Sequence, residues 1–149
     1  MAQEYWLFGT HLHILVDEQK SNGNYDLIEG TLRKGVETPL HVHSKYSEKV
    51  YVLEGEFTIY TPSGSITVKP GESFFIPENT PHVVAAGNTE KNRALTVASP
   101  SGFAKLIRNS GTLDNGLGIP FEDPNTMERF IEFSEAIGDI LLQPPGARP

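Results

Sequence analysis

Cysteine is absent from this sequence. That excludes disulfides, thiolate nucleophiles and thiolate-ligated metal sites, and leaves imidazole and oxygen-rich metal sites open. A basic, apolar leader is also missing. The first residues, Met1-Ala2-Gln3-Glu4-Tyr5-Trp6, are neither cationic nor the start of a long hydrophobic run. The sequence therefore predicts no signal peptide and no membrane span, and a cytoplasmic address is the default expectation. Positive charge is scarce: 12 Lys and Arg stand against 19 Asp and Glu, a formal net charge of -7. That balance argues against a nucleic-acid backbone as partner. With 38% apolar and 21% charged residues over 149 positions, the composition is that of one globular domain spanning residues 1–149.

Short alternating stretches separated by Pro and Gly turns dominate the chain. Examples are His11-Leu12-His13-Ile14-Leu15-Val16, Glu48 to Leu53, Glu56 to Thr61, and Ala94 to Ala98. Spacing of about ten residues between turn signals predicts an all-β sandwich or barrel. Near the C-terminus the period changes. Asp123 is positioned to cap a helix begun by Pro124, with Met127, Phe130, Ile131, Ser134 and Ile137 at helical spacing and Gly138 as the stop. The segment from Gln143 to Pro149 reads as an extended tail.

Four residues carry the chemistry. His41 and His43, two apart on a strand, face the same side. The turn Ser44 to Ser47 returns the chain so that Glu48 opens the next strand beside them, with Val50 and Val52 inward below it. His82 follows a loop bounded by Pro77 and Pro81 and shares its face with Val84 and Ala86. Three imidazoles and one carboxylate form a suitable donor set for a divalent transition metal. Left without a metal, so many buried polar groups would carry uncompensated desolvation costs. Val50, Phe57 and Val84 are candidate pocket residues. Tyr46, in the turn between the ligands, either reaches the bound species or lies in solvent. His11 and His13 lack an acidic residue at corresponding spacing. They read as cavity-lining or backbone-bonding residues rather than a second metal pair.

The spacing Gly35-x5-His41-x-His43-x4-Glu48-x6-Gly55, with Gly71-x5-Pro77-x-Asn79-x2-His82, resembles the two motifs of the cupin superfamily. The metal motifs thus fall in 35–55 and 71–86. Two positions depart from the family pattern: Asn79 stands where Gly is usual and Ala86 where Asn is usual. Asn is the best non-glycine residue for a left-handed backbone, so the first change is mild. Beyond the motifs, the chain looks like single-domain bacterial cupins compared with quercetin dioxygenases.

The resemblance implies a jelly-roll β-barrel with a short C-terminal helix. It also implies iron, manganese, nickel, cobalt, copper or zinc held by His41, His43, Glu48 and His82. The leading functional expectation is a metal-dependent dioxygenase acting on a small aromatic or enolisable substrate, with Glu48 also serving as catalytic base. Desolvation is expected to raise the Glu48 pKa for that role. The alternatives are a metal-dependent isomerase or epimerase and a non-catalytic small-molecule-binding cupin. A homodimer is the expected assembly.

Overall fold

Alternation of buried and exposed side chains organises the larger sheet. In the computed structural model, which describes residues 3–149, the strands are β1 (Glu4–Leu7), β2 (Thr10–Val16), β3 (Asp26–Arg33), β4 (Leu40–His43), β5 (Ser47–Glu54) and β6 (Phe57–Thr61). They are followed by β7 (Gly64–Val68), β8 (Ser73–Ile76), β9 (Val83–Ala86), β10 (Lys91–Ser99), β11 (Thr112–Leu113) and β12 (Asp139–Gln143). The helices are α1 (Phe103–Ser110) and α2 (Thr126–Ile137). Of the expected 1–149 unit, Met1 and Ala2 lie outside the described residues.

The expected all-β closed barrel is not what forms. Among the described residues the strands make three open sheets, and two helices give a mixed α/β fold. The seven-stranded sheet has the order β11-β1-β2-β3-β10-β5-β8, the two-stranded sheet β12-β4, and the three-stranded sheet β7-β6-β9. Proline explains part of the failure to close. Pro39 and Pro81 flank the place where β4 approaches β9, and neither can donate to a ladder. Pairing there shrinks to isolated bridges, Glu37 with Ala85 and His41 with His82. β4 spends its other edge on β12, where Asp139 pairs with His43 and Leu141 with His41.

Two apolar clusters fill the interior. One joins Leu7, Leu12, Ile14 and Ile28 to Leu106 and Ile107 of α1 and Phe130 of α2. The other gathers Leu32, Val50, Val52, Phe57, Ile59 and Ile76. The first exists because of α1, which the strand pattern did not reveal. Asp26, fully buried on β3, accepts hydrogen bonds from the backbone N–H groups of Gly102 and Ala104, each at 2.9 Å. A carboxylate 76 residues away thus satisfies orphan donors at the helix start, where negative charge is favoured.

Helix α2 starts at Thr126, after the expected Asp123-Pro124 cap. Asp123 instead closes a turn, accepting from Asn125 N at 2.7 Å. Its buried stripe is Thr126, Phe130 and Ser134, whereas Met127 and Ile131 are 45% and 63% exposed. Helical spacing alone leaves the facing direction open over neighbouring positions, and Phe130 packing on Phe8 fixes it. Gly138 ends the helix in the left-handed region at φ 85°. A Cβ at this position would also meet Ser44 Oγ at 2.5 Å, so glycine is required twice. The expected extended tail begins inside β12, and Arg148 ends it against Glu37 at 2.8 Å and over the Tyr60 ring at 4.0 Å. No helix among the described residues is long and apolar enough to cross a membrane.

Substituting Asp26→Ala removes two charge-assisted bonds and leaves helix N–H groups buried. Thermal and urea unfolding should show a loss of about 2 kcal/mol. An unchanged midpoint would show that α1 does not depend on this cap.

Candidate metal centre

Strand β4 ends at His43 and β5 begins one turn later, which places His41, His43 and Glu48 together. His82 reaches them through reciprocal backbone bonds with His41, at 3.2 Å for His41 N to His82 O and 2.9 Å for the return. The loop before it is shaped as its sequence suggests: Asn79 adopts φ 64° and its N–H donates to His43 O at 2.7 Å. One ligating atom from each of His41, His43, Glu48 and His82 lies within 4.8 Å of the others. His43, Glu48 and His82 are buried and His41 is half-buried.

The imidazoles are oriented from behind. His41 Nδ1 donates to Pro39 O at 2.7 Å, and His82 Nδ1 donates to Thr80 O at 2.8 Å. A carbonyl only accepts, so both rings carry the proton on Nδ1 and turn the Nε2 lone pair toward the cluster. The Nδ1 of His43 is hydrogen-bonded to Asp139 Oδ1. Its Nε2 lies 2.9 Å from Glu48 Oε2. His82 Nε2 is buried without a hydrogen-bond partner, although Glu48 Oε2 is 3.4 Å away. An orphaned, inward-facing imidazole nitrogen is costly unless an electrophile completes it. The donor set and this orphan fit a divalent metal ion.

Asp139 was not legible as a site residue. It sits 96 residues from His43, at the start of an unforeseen strand, and only the Gly138 helix stop before it was visible. Tyr46 takes neither role foreseen for it. It is 1% exposed and stacks on His43 with ring centroids 4.4 Å apart. Its hydroxyl faces the Asp139 oxygens at 2.8 and 2.9 Å. Tyr46 and Asp139 therefore form a shell that holds His43, the kind of carboxylate–imidazole support that raises ligand basicity.

Electrostatics follow from this packing. Burial alone would pull the His43 pKa down, but its hydrogen bonds to Asp139 and Glu48 lift it to about 9. Burial would raise Glu48, yet the His43 and His82 imidazoles hold it well below the usual carboxylate range. That reverses the expectation that desolvation would prevail at Glu48. Burial, with His82 and His43 alongside, pushes His41 well below an ordinary histidine. Tyr46 is pushed well above an ordinary phenol by burial and by the adjacent Asp139 charge.

Beside the cluster lies a cavity of about 120 Å³. Val50, Phe57 and Val84 line it together with Leu12, Phe103 and Phe130, and His41, His43 and Glu48 form its polar end. Tyr46 is behind the wall. His11 and His13 do not face the cavity: they stand on the opposite side of the seven-stranded sheet, where their cross-strand partners are Trp6 and Glu4.

The sequence pattern of the family described as the cupin domain matches residues 29–98, which contain all four clustered side chains. Residues 29–98 of this chain form a cupin domain. This cupin is 28% identical to the quercetin 2,3-dioxygenase of Bacillus subtilis (strain 168) over 141 residues, 93% of its own length. It spans 41% of that longer relative. An RmlC-like cupin from Shewanella frigidimarina NCIMB 400 superposes with TM-score 0.58 at 22% identity, covering 68% of this chain and 86% of the other. A sugar phosphate isomerase of the cupin superfamily from Silicibacter pomeroyi DSS-3 gives TM-score 0.55 at 18% identity, over 63% and 61% of the two chains. These two structures share the fold. Asp139, which supports His43, lies C-terminal to the matched segment.

Two outcomes follow from the His43 environment. Its folded pKa of about 9 stands above the ordinary 6.5, so its stabilisation is full below 6.5 and is lost as pH rises through about 9. Chelator-treated protein should therefore show a falling unfolding midpoint from pH 6.5 to 9, flattened in Asp139→Asn. The same substitution should weaken divalent-metal affinity by about 10- to 100-fold in competition titrations. Unchanged affinity would remove Asp139 from the support of His43.

Proposed function

We propose that this cupin is a metal-dependent dioxygenase-like oxidoreductase for a small aromatic or enolisable substrate. His41, His43, Glu48 and His82 would hold the divalent ion. When bound, the ion supplies a Lewis-acid centre for a substrate oxygen and a one-electron-active partner for dioxygen chemistry. The observation that carries the reading is the cavity wall. Among the described residues no Lys or Arg lines it, and its only ionisable groups are His41, His43, Glu48 and Asp139. Apart from the ion and its ligands, a sugar phosphate or dicarboxylate would find no lysine or arginine to pair with there. A neutral, electron-rich ring would meet apolar walls of matching chemistry. This is why the isomerase or epimerase reading ranks lower here.

Cavity size narrows the substrate. A buried apolar cavity of about 150 Å³ accommodates benzene. At about 120 Å³, the present cavity suits a single-ring phenol or a short enol, and a three-ring flavonol would extend beyond it. The walls of Leu12, Val50, Phe57, Val84, Phe103 and Phe130 orient the ring and exclude water. Glu48, the carboxylate at the polar end of the cavity, would accept the hydroxyl proton of the substrate. Both atoms of dioxygen would enter the product, so an electron-rich substrate needs no external reductant.

Metal analysis of the wild type against His43→Ala and His82→Ala should show loss of the quartet's equivalent of metal from both variants. Equal content in all three proteins would remove the four-ligand site. Iron- or nickel-loaded protein should bind a one-ring phenol or enol without oxygen, then consume oxygen on aeration. Glu48→Gln should lower turnover by at least about 100-fold while substrate binding persists. If no phenol or enol binds under anaerobic conditions, the dioxygenase reading fails. A ligand recovered unchanged after aeration would instead mark a small-molecule-binding cupin.

A further inference from the structure

The outer face of the seven-stranded sheet carries a second cluster of ligating groups, separated from the quartet by the sheet itself. Cross-strand partners share a face, so Glu4 with His13 and Trp6 with His11 stand together. The inner face belongs to Leu12, which lines the cavity. Asp114 arrives from the segment after β11, where its backbone N–H donates to Glu4 O at 2.9 Å. His11 Nε2 then lies 3.5 Å from Glu4 Oε1 and 3.6 Å from Asp114 Oδ2. Ligating atoms of all three residues fall within 4.8 Å of one another. Chain order hides the trio. Its two carboxylates come from the neighbouring strand and from a segment about a hundred residues away.

The cluster is oriented by its surroundings. The Trp6 indole N–H donates to Asp114 Oδ1 at 2.9 Å, while Oδ2 is the oxygen nearer His11. The Trp6 ring, 5% exposed, stands edge-on to His11 with centroids 5.0 Å apart. Together these residues line a cleft of about 520 Å³. The His11 separations are longer than the 2.7–2.9 Å usual for charge-assisted hydrogen bonds. They are close to the edge of a tetrahedral shell, about 3.4 Å for metal–ligand bonds of about 2.1 Å.

The nearby cations do not neutralise the trio. Arg93 is engaged by Glu29 at 2.7 Å and Glu54 at 3.6 Å, and Lys91 lies 3.9 Å from Glu54. Arg33 donates to Gly118 O at 3.1 Å. Among the described residues, neither Glu4 nor Asp114 forms an ion pair with Lys or Arg. We propose that Glu4, His11 and Asp114 bind a second divalent transition ion on this outer face. One borderline nitrogen and two hard oxygens suit Zn²⁺, Mn²⁺ or Co²⁺. Three protein ligands leave room for water or a small anion. The ion would tie β1 and β2 to the segment after β11, which the ladder holds only through the two-residue pairing of β11 with β1.

Trp6 is the chain's single tryptophan and touches this cluster, so it reports on occupancy. Co²⁺, a paramagnetic quencher, is the probe. A His43→Ala/His82→Ala protein, with the quartet disabled, should still bind about one equivalent of Co²⁺ and lose at least half of its Trp6 fluorescence. Adding His11→Ala should abolish both effects. Asp114→Asn, which keeps the oxygen acceptor for Trp6, should weaken Co²⁺ binding at least tenfold. If the quartet variant does not fold, wild type should take up two equivalents of Zn²⁺ in equilibrium dialysis and His11→Ala one. The proposal is overturned if His11→Ala leaves quenching and stoichiometry unchanged. Loss of the quartet's metal would lower both stoichiometries by one and leave their difference and the Trp6 quenching unchanged, so the two sites fail separately.

Discussion

Three imidazoles can share one small buried volume only if each ring is held from behind at its Nδ1. That constraint organises much of the structure. Every inward Nε2 requires an outward Nδ1 with a partner, and the chain supplies three: Pro39 O, Thr80 O and Asp139. Two of these are backbone carbonyls beside prolines, which cannot donate and so interrupt the ladder there. The same prolines that orient His41 and His82 therefore help to leave the sheets open. The third partner requires the chain to return after α2, stop at Gly138 and lay Asp139 opposite His43. The C-terminal region thus contributes directly to the centre.

A charged group on the cavity wall would have pointed to a charged substrate. The mostly apolar wall beside the cluster favours a neutral ligand over a charged one. It also sets the balance at Glu48. Burial opposes its charge, but two neighbouring imidazoles override burial and keep the carboxylate ionised. Neighbouring charge wins over desolvation because His43 is within hydrogen-bond distance at 2.9 Å and is itself supported by Asp139 and Tyr46. The outer cluster has the opposite character. It is wetter, richer in carboxylate, and held by strand register together with a single indole hydrogen bond.

Much of the centre was legible because its residues lie in short, local segments. His41, His43 and Glu48 lie on two strands consecutive in the chain, and Asn79 sits in the left-handed turn its residue type favours. Legibility ended where partners are far apart in sequence. Helix α1 depends on a cap from Asp26, so its own sequence offered no starting signal. The α2 stripe was placed on Met127 and Ile131 as well as Phe130, because periodicity identifies a face only approximately. Tyr46 looked like a turn residue until Asp139 appeared behind it. His11 and His13 looked unsupported because their acidic neighbours are assembled across strands.

By itself the sequence determined the cluster of His41, His43, Glu48 and His82, much of the strand-and-turn grammar around it and the cupin motifs. These depend on residue type and short spacing, which folding preserves. Only the tertiary structure decided that the sheets stay open, that α1 completes the core, that Asp139 braces His43, and that Glu4 and Asp114 meet His11. The physical reason is common to all four. Each depends on backbone pairing or hydrogen bonding between segments whose separation along the chain carries no trace of their separation in space.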